Sequence, residues 1–150
     1  MPDLYITQAL PNPTGKDRPP HGGPTNAQLN GEWIEFANTS GRPLNLQGVR
    51  LLHDTFGWRC ERTGQDAVTT FQGSLDSGLS IRVHTGSGEG QWEGNVFHFY
   101  VGRSNYIWNN NCGDRATLAI EGGTIDWARY TPNPPEGRIL RRVAGTNNMQ

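Results

Sequence analysis

The chain lacks any surplus of charge. Thirteen lysines and arginines stand against 14 aspartates and glutamates, a formal net charge of −1 at pH 7. No global field therefore favours nucleic acid, an anionic membrane surface or a polycationic partner. No apolar run approaches the ~20 residues of a membrane helix, and MPDLYITQ has neither a basic n-region nor an apolar h-region. Membrane insertion is not expected. Location stays open: cytoplasmic for a complete chain, extracellular or cell-surface for a segment of a larger protein. Only two cysteines occur, Cys60 and Cys112, in neither a CxxC metal spacing nor a disulfide-dense pattern. They are either two free thiols or one long-range bridge. Helical and heptad periodicities are missing as well, which excludes a coiled-coil rod.

What the sequence does have is turn chemistry. Glycine (20) and proline (10) make up 30 of the 150 residues without a collagen period or a repetitive tract. They punctuate short segments that alternate apolar and polar residues with period two, the mark of half-buried strands. LYITQAL (4–10) points Leu4, Ile6 and Leu10 to one side, and EWIEFAN (32–38) does the same with Ile34 and Phe36. Segments 49–54, 67–73, 79–86, 97–102, 115–120 and 124–131 repeat the pattern. Residues 11–31, rich in Pro and Gly, read as one long loop. Eight strands with no crossover helices predict an all-β, antiparallel sandwich of about eight or nine strands over residues 1–131. Residues 132–150, Pro-rich and then basic, read as a tail that packs partly or not at all.

Candidate chemistry is sparse. Cys112 would need a nearby base to act as a nucleophile, and His53, His84 and His98 stand at no pairing distance in sequence from it. His21 completes a dispersed set without zinc-ligand spacing. Asn109, Asn110, Asn111 and Asp114 lack the spacing of a calcium loop and suit a tight corner instead. Glu32, Glu35, Asp54 and Asp126 form no recognisable acid/base pair. The Gly-rich HTGSGEGQWEG (84–94) lacks the context of a phosphate loop. No cofactor and no metal is implied. Trp58 and Trp92 fall in polar, Gly-rich loops, where they either cap the sandwich ends, the preferred reading, or present flat binding surfaces.

The order of four blocks, GEWIEFANTSGRPLNLQGVRL, LDSGLSIRVHTGSG, IWNNNCGDRATL and GGTIDWARY, resembles the lamin tail domain family, of a bacterial or viral type rather than a nuclear lamin. The similarity spans about Leu4 to Tyr130. Its most specific parts set out Glu32, Trp33 and Asn38 in one block and Trp108, Asn110, Gly113 and Asp114 in another. The resemblance implies an immunoglobulin-like sandwich and a non-enzymatic module that binds a protein partner or self-assembles through loops or edge strands. The insert at 11–31 and the Cys60-containing loop 55–66 depart from the family pattern. A second expectation is an accessory module for glycan or DNA built on Trp58, Arg59, Trp92 and Arg103.

Overall fold

The computed structural model describes residues 1–150. In chain order the elements are β1 (Leu4–Leu10), α1 (Asn26–Asn30), β2 (Trp33–Asn38), β3 (Leu44–Asn45), β4 (Arg50–Phe56), β5 (Arg62–Thr70), β6 (Ser74–Leu75), β7 (Ser80–His84), β8 (Gln91–Glu93), β9 (Val96–Tyr100), β10 (Asp114–Ile120), β11 (Gly123–Tyr130) and β12 (Leu140–Arg141). A six-stranded sheet, β12-β1-β2-β7-β9-β8, packs on a four-stranded sheet, β11-β10-β4-β5, and the β3-β6 ribbon joins them at one end. The architecture is the expected β-sandwich. Eight strands coincide with the alternating segments; the other four are two or three residues long, too short to show a period. One ladder departs from the antiparallel rule: β7 and β9 run parallel, with residues 85–95 returning the chain and β8 folded onto the outer side of β9.

The core lies between the sheets and is built from the inward residues of each strand. Ile6, Ile34, Phe36, Ile81 and Val83 come from one sheet, and Leu51, Val68, Ala116, Leu118 and Ala128 from the other. Strict alternation fails in β1, where the register shifts between Ile6 and Gln8. This bulge turns Ala9 inward rather than Leu10. Asp126 Oδ2 accepts from Ile6 N at 2.8 Å and Arg142 Nη1 donates to Ile6 O at 2.9 Å.

Two stretches differ from the sequence reading. Residues 11–31 contain the helix α1, closed by a capping box in which Thr25 and Gln28 exchange side-chain and backbone hydrogen bonds. The T-x-x-Q signal was present but masked by the surrounding prolines and glycines. Residues 132–150 do not project as a tail. Leu140 and Met149 are core residues, β12 pairs with β1, and Arg142 is buried in an ion pair with Asp126 at 3.0 Å. The basic character that suggested solvent exposure serves that buried carboxylate instead.

Candidate interaction surface

The motif residues cluster at corners that hold loops to the sheets. Glu32, fully buried, accepts from Lys16 Nζ (2.7 Å), Thr85 Oγ1 (2.6 Å), Ile107 N (2.9 Å) and Trp108 N (3.2 Å). Burial pushes its pKa up, while the Lys16 charge and these hydrogen bonds pull it down; the balance is upward. Asp114 accepts from the backbone of Asp54 (3.0 Å), Asn109 (3.1 Å) and Arg115 (2.7 Å). Gly113 has φ of 70°, and a Cβ there would fall 2.4 Å from Tyr130 O, so no other residue fits that turn. Asn38 donates to Arg42 O and Leu75 O and accepts from Ser40 N and Oγ. Trp33 and Trp108 are buried, the former under the Arg82 guanidinium at 3.9 Å. Asn110 sits at the rim of the same corner, accepting from Lys16 Nζ at 3.2 Å.

Cys60 and Cys112 are joined as a disulfide across 52 positions of sequence. It ties the tip of the β4–β5 hairpin to the loop before β10. That hairpin is longer than the loop 55–66 suggested, because strand pairing continues to Phe56 and resumes at Arg62. Cys60 N closes a turn onto Gly57 O, and Cys60 takes the left-handed φ of 61°. Glycine is the usual choice there; the bond to Cys112 requires cysteine.

The binding candidates lie apart from one another. Trp58 is 85% exposed at the hairpin tip, with the Arg59 guanidinium 4.3 Å from its ring. Trp92 is 52% exposed on the edge strand β8 and meets Phe97 edge to face. The capping expectation is corrected for Trp58, because a hairpin tip has no second layer to pack on, whereas Trp92 is half-buried against Phe97. Arg103 points back onto β5, donating to Ala67 O (3.1 Å) and Val68 O (3.4 Å) at the bulge between Leu51 and Leu52 pairing.

The two sides of the sandwich are unlike. On the β1–β11 side, the C-terminal segment seals the edges: β12 pairs with β1, while Arg129 N donates to Asn147 O and Met149 N to Arg129 O, each at 2.8 Å. On the other side β5 and β8 end their sheets without a strand neighbour. A groove of about 760 Å³ opens between β8–β9 and the segment that leaves the end of β5, lined by Leu46, Phe71, Ile81, Trp92, Phe97 and Phe99.

Sequence reasoning missed the pairing of His84 and His98. Adjacent on the parallel strands β7 and β9, their rings stack, with His84 Nε2 2.7 Å from His98 Nδ1 and His98 Nε2 3.1 Å from Glu93 Oε1. A separation of 14 residues gives no signal unless the parallel pairing is known. Burial lowers the His84 pKa, the Asn30 carbonyl opposes this, and the neighbouring His98 adds to the lowering. No cluster of three or more His, Cys, Asp or Glu side chains is arranged to hold a metal ion. No helix is long and apolar enough to cross a membrane.

A family model described as Lamin Tail Domain matches residues 1–132. No curated protein matches the chain.

Proposed function

The chain belongs to the lamin tail domain family, a family of non-catalytic immunoglobulin-like domains, and from that premise we propose that it is a protein-docking module that engages its partner through the open side of the sandwich. The observation that carries this reading is the asymmetry of the edges. One side is sealed by the chain's own C-terminal segment, whereas the other presents an apolar groove, two strand edges and an exposed tryptophan. A partner strand could pair with the free edge of β5 or β8, while a side chain fills the groove. Trp92 supplies rigid contact area at the rim, and Trp58 with Arg59 supplies a second contact at the hairpin tip.

The test replaces Asp66, Trp92 or, on the sealed side, Arg141 with a photoreactive phenylalanine. Cross-links to one common protein from positions 66 and 92, with none from 141, support the docking side. Cross-links from all three positions alike, or from 141 alone, overturn it. A glycan- or DNA-binding role has one observation in its favour, the fully presented Trp58 indole stacked with a guanidinium. Saturable binding on a glycan or oligonucleotide panel, lost in Trp58→Ala and Trp92→Ala, would favour it over the protein partner.

A further inference from the structure

The docking surface leaves one corner unexplained. Twelve of the 13 basic residues are arginine; the single lysine, Lys16, turns inward from the 11–31 segment, its side chain 9% exposed. Lys16 Nζ lies 2.7 Å from Glu32 Oε2, 2.8 Å from Pro11 O and 3.2 Å from Asn110 Oδ1, and it also contacts Trp108 O. An ammonium has three donors, so four acceptors around it exceed what a simple buried ion pair needs. The Tyr106 ring, 5.2 Å from Nζ, covers the outer face.

We propose that this corner is a self-modification site, in which Lys16 Nζ forms an amide bond with Asn110 Cγ, releasing ammonia, and Glu32 carries the proton. The roles follow from the geometry. Glu32 Oε2 takes a proton from Lys16 Nζ and leaves a neutral amine with a free lone pair. That lone pair attacks Asn110 Cγ, the atom bonded to the Oδ1 that Nζ already contacts. As the Nζ–Cγ bond forms, Glu32 returns the first proton to Nδ2 and takes a second from Nζ; the Cγ–Nδ2 bond breaks, Nδ2 departs as ammonia, and Glu32 is left protonated. One amine and one carboxamide become one secondary amide and one ammonia, with no oxidant, cofactor or second substrate.

Glu32 and Asp17 favour this outcome. Burial holds the Glu32 carboxyl above its ordinary range, against the pull of the Lys16 charge, which suits it to take up a proton and return it. Asp17 Oδ1 accepts from Asn110 Nδ2 at 3.2 Å, which turns the carboxamide oxygen toward Nζ and places a carboxylate beside the departing nitrogen. Arginine, never deprotonated in proteins, could not substitute as the nucleophile. Held together on a folded frame, the two groups react as one molecule rather than two. The product would link two loops 94 positions apart, next to the disulfide at Cys112 but immune to reduction.

The experiment is intact mass measurement of the reduced, denatured wild-type protein, followed by digestion with an endoprotease that cuts after lysine. The expected result is a mass one ammonia below that of the sequence, resistance to cleavage at Lys16, and a branched tryptic peptide joining Lys16 to Asn110. Asn110→Ala and Glu32→Gln are expected at full mass, and Asn110→Ala at least to be cut at Lys16. Full mass for wild type with its Cys60–Cys112 bond formed overturns the proposal, whatever the variants do. Loss of ammonia that maps to a succinimide at Asn30–Gly31, with Lys16 still cleavable, overturns it too.

Discussion

The Asn38 side chain uses both amide hydrogens and both lone pairs of its oxygen, all on the backbone and side chains of the β2–β3 turn and on Leu75. Asn38→Ala removes the side-chain donor to Leu75 O and the acceptor of Ser40 N, while Arg42 O keeps the Ser40 hydroxyl, and is expected to lower the unfolding free energy by about 1–3 kcal/mol. An unchanged urea midpoint would show that water replaces the amide. His84 gives a pH signature. Its folded pKa lies below the ordinary 6.5, so the unfolded chain binds more protons as pH falls past that value. Its contribution is complete above 6.5 and declines as pH drops toward the folded pKa; Glu32, shifted upward from 4.5, acts with the opposite sign. The groups facing His84 are His98, Arg82 and Glu35, with Tyr100 stacked on its ring. Urea midpoints are therefore expected to fall between about pH 7.5 and about pH 6, and to fall less in His84→Gln. An equal fall in the variant would remove His84 as the cause. At this scale the sequence exposed the motif residues but not their partners: Glu32 and Asp114 stand out by position, whereas Lys16, Arg82 and Arg142 lie far away in sequence.

Among the elements, the C-terminal segment and the disulfide carry the clearest consequences. Arg142 neutralises Asp126 where both side chains are about one-twentieth exposed, and it also donates to the Ile6 carbonyl. Arg142→Ala strands a buried carboxylate and is expected to cost about 3–5 kcal/mol, because the charge loses its partner without regaining water. Calorimetry checks this, and a loss below about 1 kcal/mol would place the pair in contact with solvent. Reduction of Cys60–Cys112 releases the hairpin tip and is expected to cost about 2–4 kcal/mol for a loop of this size. Comparing urea midpoints with and without reductant measures it. Alternation revealed eight strands because their inward and outward faces differ. It could not reveal β3, β6, β8 or β12, whose existence depends on a neighbour, nor the bulges in β1 and β5, which break the period locally.

For the whole molecule, the question is which edges remain open. Arg103, drawn from the loop after β9, caps the Ala67 and Val68 carbonyls at the bulge of β5 and so guards one end of the longest free edge. Arg103→Ala is expected to increase self-association in a light-scattering concentration series; no increase would show that the edge is protected by other means. The sequence by itself determined the class of fold, because half-buried strands need alternating faces, and it determined the family, because turn-forming Gly113 and the Glu32 and Asp114 corners tolerate few alternatives. It also set the limits of electrostatics, since composition alone fixes net charge. The tertiary structure decided the rest. It brought Lys16 to Asn110 and Glu32, stacked His84 on His98 through a parallel pairing, closed one side with residues 132–150 and left the other bare. The physical reason is shared: each depends on which residues 14 or more positions apart the fold brings together, and such contacts leave no local pattern to read.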